Sequence, residues 1–202
     1  MNNPKKILLF SIFRNNPIMA QILGICSALA VTVKLQPALV MALSVTIVIA
    51  CSNVIISLLK KTIPNRIRII VQLVVVSLFV ILIDLILKAF AYNISKQLSV
   101  FVGLIITNCI VMGRLEAFAM TNKVWHSFLD GMSNGFGYGL ILVIVAVIRE
   151  LLSSGKLLDY QIIPPSFYDA GYMNNSLMIL PPMAVIILGI IIWVKGAKET
   201  KE

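Results

Sequence analysis

Apolar positions in this chain come in long unbroken runs, separated by charges, prolines and short polar turns. Six runs can be marked, at roughly 18 to 33, 38 to 59, 68 to 90, 98 to 113, 136 to 152 and 177 to 194. Runs of this length predict helices that cross a bilayer, because about 20 apolar residues at 1.5 Å rise span a hydrocarbon core of about 30 Å. A transmembrane barrel is excluded by the same pattern, since its strands alternate apolar and polar with a period of two. Residues 153 to 176, with Gly155, Pro164, Pro165 and Gly171, form the longest polar connection. All other connections are short, so one polytopic domain over residues 1–202 is expected: an all-α integral membrane protein with six transmembrane helices.

Two runs are abnormal. The first has sixteen residues between Pro17 and Lys34, and the fourth sixteen between Gln97 and Arg114. Sixteen helical residues reach about 24 Å, short of the hydrocarbon core. Gln21, Gly24 and Ser27 interrupt the first, and Gly103, Thr107 and Asn108 the fourth. The two also resemble each other. Cys26 precedes Lys34, Leu35, Gln36, Ala38 and Met41, just as Cys109 precedes Arg114, Leu115, Glu116, Ala117 and Met120. The match continues from Ser52 and Asn53 to Ser133 and Asn134. Two units of three helices enter the membrane from opposite sides. The reading is therefore an inverted repeat, about 18–90 and about 98–194, with its pseudo-two-fold axis in the membrane plane. Such repeats bring their short or broken helices face to face near the bilayer midplane.

Composition agrees with a membrane chain: 59% hydrophobic residues, 12% charged and a mean hydropathy of +0.99. A soluble enzyme, a secreted disulfide scaffold or a disordered protein needs about twice this charge density. A net charge of +9 invites a nucleic-acid reading. However, the basic residues sit in clusters between apolar runs, at Lys5 and Lys6, at Lys60, Lys61, Arg66 and Arg68, and at Lys195, Lys198 and Lys201, as topology signals do. No nucleic-acid partner is expected. Twelve of the 17 Lys and Arg fall on the side of the two termini, which predicts both termini cytoplasmic. The apolar stretch Ile7 to Phe10 is too short for a secretory h-region, so no cleaved signal is expected.

The chemistry lies in the cysteines. Cys51 has no counterpart in the repeat and sits among Val48, Ile49 and Val54, which reads as a small buried hydrophobe. Cys26 and Cys109 occupy equivalent places in the two short segments, so the pseudo-symmetry brings their sulfurs together. Two thiolates on one axis are half of what an iron-sulfur centre needs, the other half coming from a second chain. A zinc site has the same arithmetic but little purpose at the membrane centre. Two packing cysteines remain the plain alternative, and no CxxC spacing decides between them.

The stretch Ile94 to Met120, with TNCIVMGR at its centre, GICSALAVT at Gly24 to Thr32 and IPNRIRIIVQ at Ile63 to Gln72 closely resemble the D subunits of sodium-translocating NADH:quinone oxidoreductases. The resemblance covers nearly the whole chain and is weakest between Pro165 and Asn175. Leu115 departs from it, standing where the family more often has a small residue. The resemblance implies a six-helix inverted-repeat subunit of a bacterial inner-membrane complex, paired in the opposite orientation with its sister, the E subunit. It implies that Cys26 and Cys109 are metal ligands, holding one [2Fe-2S] cluster with two cysteines of that sister. The cluster would relay electrons between the NADH-oxidising F subunit and the covalent flavin of the C subunit, coupled to Na+ export. NAD, FAD, FMN, riboflavin and quinone would bind on the partners, which are the A, B, C, E and F subunits, and this chain alone would have no activity. Subunits of Rnf-type complexes share the architecture and are the near alternative. An autonomous inverted-repeat ion transporter and a purely structural subunit are the distant ones.

Other residues are weighed against plainer roles. Asp84 is the one acid read well inside an apolar run, and Lys88 four residues on is placed to pair with it on one helix face. Gly131, Gly135 and Gly139 give overlapping GxxxG spacings, a helix-packing face. Asn108 adjoins Cys109 and either tunes a cluster sulfur or bonds a neighbouring helix. His126 is single and placed in a loop, in a solvated or interfacial position.

Overall fold

The computed structural model describes residues 18, 21–64, 66–90, 103–154, 156–157, 160–161 and 179–199. The terminal basic clusters at Lys5, Lys6 and Lys201 lie outside these residues, as do the start of the fourth apolar run and most of the 153–176 connection. In chain order the elements are α1 (Ile25–Val31), α2 (Leu35–Leu59), α3 (Arg68–Phe90), α4 (Cys109–Arg114) running into a π-helical turn (Leu115–Ala119), and α5 (Val124–Ser154). A two-residue antiparallel ribbon of β1 (Lys156–Leu157) and β2 (Tyr160–Gln161) and α6 (Pro181–Glu199) complete the set.

Among the described residues three helices are long and apolar enough to cross a bilayer, over Leu35–Leu59, Arg68–Ala89 and Val124–Ser153, and α6 contributes a shorter apolar stretch, Pro181–Val194. Each of the three exceeds the roughly 30 Å required at 1.5 Å per residue. The described residues are therefore all-helical apart from the small ribbon and short connections, with helices of membrane-spanning length.

Helices α2 and α5 are the centre of the molecule and run antiparallel. A Cβ added at Gly131 would come within 2.9 Å of the Ala50 Cα, one at Gly135 within 2.8 Å of the Thr46 Cα, and one at Gly139 within 3.0 Å of the Ala42 Cβ. The GxxxG face on α5 thus meets a face of small residues at the same spacing on α2. Without side chains between them the backbones approach closely, which is how helices gain packing where solvent supplies no hydrophobic drive. Above and below this seam Met41, Val45, Ile49, Tyr138, Leu142 and Val145 fill the core. By contrast α3 is mostly exposed, with Ile69, Ile70, Val74, Leu78, Leu85 and Ile86 on its outer faces, as suits a helix facing acyl chains or another protein chain.

Several elements differ from the sequence expectation. The fifth helix begins at Val124, twelve residues before the expected 136, because its polar first half is sheltered by protein. Ser127, Asp130, Ser133 and Asn134 are all buried, and Asn53 on α2 donates to the Ser127 carbonyl at 2.9 Å. Consequently His126 lies in the first turn of α5 rather than in a loop, though it is exposed as expected. Asp84 is not the sole acid within a long apolar helix, since Asp130 is only 2% exposed. The first and fourth runs are broken rather than merely short. Residues 22–24 are not helical and α1 starts at Ile25, while residues 103–106 are helical and the chain then breaks at Thr107 and Asn108 before α4.

Candidate functional site: a paired thiol at two broken helices

Both breaks fall immediately before a cysteine-bearing helix. Ahead of α1, Ile22 (φ 54°) and Gly24 (φ 82°) both adopt left-handed backbone. That conformation is costly for a β-branched residue and natural for glycine. Gly24 has a second reason to lack a side chain, because a Cβ there would lie 3.0 Å from the Tyr138 ring. Ahead of α4, Asn108 is extended and its Oδ1 accepts the Ile110 N–H at 3.3 Å. This is the N-cap bond that starts a helix where a short polar side chain satisfies a free amide. Cys26 therefore stands in the first turn of α1, and Cys109 is the first residue of α4.

The two sulfurs lie 3.9 Å apart, both exposed. A tetrahedral metal bound by thiolates at about 2.3 Å has sulfur–sulfur edges of about 3.8 Å. The spacing therefore suits two ligands on one metal atom. It is too long for a disulfide, whose bond is about 2.05 Å. Among the described residues no group of three His, Cys, Asp or Glu side chains gathers to hold a metal, so a tetrahedral centre on this pair would take its remaining ligands from beyond the described residues. The donor set, two soft thiolates facing outward, fits an iron-sulfur cluster shared with a second chain. Cys51 is part-buried on α2 and belongs to no such pair.

Beneath the sulfurs the chain turns polar in a defined way. Ser27, next to Cys26, donates its hydroxyl proton to the Gly24 carbonyl at 2.9 Å. A hydroxyl has one proton and two lone pairs, so Ser27 Oγ accepts from its other two neighbours. These are the Tyr138 hydroxyl at 2.7 Å and the Asn108 amide Nδ2 at 3.2 Å. Ser27, Asn108 and Tyr138 are all buried. Asn108 thus joins the two cysteine helices to each other, the second of the two roles considered for it, and it also caps α4.

The far ends of the cysteine helices are anchored by arginines. Arg149 on α5, 1% exposed, donates to the Leu29 carbonyl of α1 at 3.3 Å, to Thr32 Oγ1 at 2.6 Å and to the Ile179 carbonyl at 2.8 Å. Arg114, at the end of α4, grips Asp130 with Nε 3.0 Å from Oδ2 and with a second contact from Nη2 to Oδ1. Asn134 also donates to Asp130 Oδ1 at 3.0 Å. Glu116 in the π-helical turn pairs with Arg68 and accepts from Gln72 at 2.9 Å, tying α3 to the turn. Glu150 caps α2 from α5, accepting the Leu35 N–H at 2.6 Å. Asp84 and Lys88 pair at 2.6 Å along α3, with Lys88 half exposed, as their spacing implied.

Sequence reasoning misses Ser27, Tyr138, Arg149 and Asp130 as parts of the site. Asp130 carries a usable signal, an acid immediately before the first glycine of the GxxxG face, but Tyr138 and Arg149 reach the site only through tertiary packing.

Comparison with known proteins identifies the family. A family model described as "Rnf-Nqr subunit, membrane protein" matches residues 5–192. The chain is 56% identical over 202 residues to a protein of Yersinia pestis (strain Pestoides F) named as the D subunit of Na(+)-translocating NADH-quinone reductase, covering 98% of this chain and 97% of the relative. It is 53% identical over 193 residues to a protein of the same name from Tolumonas auensis, covering 96% and 90%. With the family model and these relatives spanning nearly its whole length, the chain belongs to the Rnf-Nqr family of membrane-protein subunits.

Proposed function

We propose that this chain is the D subunit of a sodium-translocating NADH:quinone oxidoreductase, and that Cys26 and Cys109 supply half the ligands of an intramembrane [2Fe-2S] cluster. The remaining two thiolates come from the E subunit. When bound, such a cluster takes up and gives back one electron at a time. The observation that carries the reading is the thiol pair: two exposed sulfurs 3.9 Å apart, delivered by two separate broken helices. Exposure of both leaves room for a partner's ligands.

In this reading the chain's residues bind and orient. Asn108 and Gly24 start the two helices so that both sulfurs meet. Ile110 and Val111, buried behind Cys109, keep water from the inner side. The chain stands between the NADH-oxidising F subunit and the covalent-flavin C subunit as half of an electron relay coupled to Na+ export. NAD, FAD, FMN, riboflavin and quinone reside on the other subunits. The same proposal includes one domain of six spans in the bacterial inner membrane, arranged as two inverted repeats with both termini cytoplasmic. Support for the repeat comes from the α2–α5 seam. Ala50 opposes Gly131 across it, and the sequence repeat pairs Ser52 and Asn53 with Ser133 and Asn134 at the same separation. Repeat-equivalent residues meeting on an antiparallel pair are what a two-fold axis through that contact produces. The family description spans Rnf as well as Nqr subunits, so the corresponding Rnf protein is the second reading, and the names of the two relatives favour the first.

Low-temperature EPR and iron analysis of the intact complex test this. Cys26→Ala and Cys109→Ala should each abolish one [2Fe-2S] signal and stall electron flow from NADH to quinone in an assembled complex. Full iron and full turnover in both variants would make the cysteines packing residues and the chain a scaffold or transporter.

A further inference from the structure

Ser27 uses its whole hydrogen-bonding capacity in one place, with its proton on the Gly24 carbonyl and its lone pairs taken by Tyr138 and Asn108. The three partners come from three separate parts of the chain. Gly24 leads into α1, Asn108 into α4, and Tyr138 stands at the middle of α5, fully buried. Each of the two short helices begins its cysteine turn within one residue of this hub, because Ser27 follows Cys26 and Asn108 precedes Cys109. Neither helix is long enough to hold its own orientation by length or by propensity. The hub therefore fixes the direction in which each sulfur leaves the protein. The donor order follows from proton counting: Tyr138 donates to Ser27, and Asn108 donates through Nδ2 while its Oδ1 holds the α4 cap.

We propose that Tyr138, acting through Ser27 and Asn108, is a positioning residue that sets the separation and orientation of the Cys26 and Cys109 thiolates, and with them the electronic state of the metal centre they share. The inference rests on the cluster reading above and deepens it. α5 is the natural post for this purpose. It is locked against α2 along the glycine seam, whereas α1 and α4 are short and interrupted. Removing the Tyr138 hydroxyl leaves the ring that packs over Gly24 in place, but opens one acceptor on Ser27 in a buried site. Ser27 can then rotate, and the Asn108 bond that joins the two helices loosens with it. Outer groups that orient a ligand commonly tune the metal without touching it.

The test compares Tyr138→Phe and Asn108→Ser in the intact complex, reading iron content, EPR line shape and midpoint potential. Asn108→Ser keeps an N-cap acceptor for α4 while losing the amide that reaches Ser27. Both variants should retain iron. In both, the reduced signal should broaden and the reduced-to-oxidised ratio at a fixed poise should change about threefold, about 30 mV for a one-electron centre. Wild-type line shape and potential in both would overturn the proposal. Should Tyr138→Phe fail to assemble, Asn108→Ser carries the test alone, and a wild-type spectrum there overturns it equally. Cys26→Ala and Cys109→Ala run beside them separate the two levels. Iron retained in those variants removes the cluster reading, whereas iron lost there with unchanged spectra in Tyr138→Phe and Asn108→Ser removes only the positioning role.

Discussion

The seam between α2 and α5 and the junction between α1 and α4 solve opposite problems with opposite chemistry. At the seam, long helices approach through Gly131, Gly135 and Gly139 against Ala50, Thr46 and Ala42. Packing there is steric and continuous over about two turns. At the junction, helices of seven and six residues meet through hydrogen bonds to Ser27, Asn108, Thr32 and Arg149, and each exposes one sulfur. The contrast shows how a small membrane protein can be stiff and still present a reactive edge. Dispersion between small residues supplies the frame, and a few directional bonds aim the cysteines from it.

The largest expected effect breaks the link between the two regions. Asp130 on α5 holds Arg114 at the end of α4, and Asp130→Ala leaves a largely buried guanidinium without its carboxylate, a loss of roughly 3–5 kcal/mol. The solubilised complex should show a much lower unfolding temperature or lose this chain on purification. Next comes the seam itself. Gly135→Ala places a methyl 2.8 Å from the Thr46 backbone, where nothing flexible can yield. An overpacking cost of about 1–3 kcal/mol is expected, seen as lowered thermal stability with the EPR signal unchanged in whatever complex survives. Gly24→Ala tests the junction from the other side. A left-handed φ of 82° and contact with the Tyr138 ring cost about 1–2 kcal/mol, and here iron content should fall along with stability. Last is Lys88→Ala, which leaves the 16%-exposed Asp84 carboxylate on α3 without its half-exposed partner and should lower stability by about 1 kcal/mol, with electron transfer intact. Iron loss in Gly135→Ala, or a wild-type iron content in a destabilised Gly24→Ala, would erase the distinction between frame and junction.

How much of this is legible in the sequence depends on what satisfies each residue. The third apolar run reads as 68 to 90 and the helix is Arg68–Phe90, because its outward-facing positions leave a continuous apolar signal bounded by charges. The glycine face is legible for a related reason, since spacing alone makes a stripe. The start of α5 is not. Ser127, Asp130, Ser133 and Asn134 break the apolar run, yet Asn53 and Arg114 satisfy Ser127 and Asp130 inside the protein. The pairing of Cys26 with Cys109 can be anticipated from the repeat and from the shortness of both segments. The hub beneath them cannot, because Tyr138 lies 111 residues from Ser27 and carries no local mark of its role. Likewise Arg149 reads as a charge at the end of an apolar run, while in the fold it closes the carbonyl end of α1 and the turn before α6.

The measurement that bears most directly on the central claim is an anomalous difference map, recorded at the iron edge, of the intact complex. A two-iron peak beside the Cys26 and Cys109 sulfurs, with two sulfurs of a neighbouring chain on its far side, is the predicted result. A map with no iron at this position, and the two thiols free or joined as a disulfide, would contradict it.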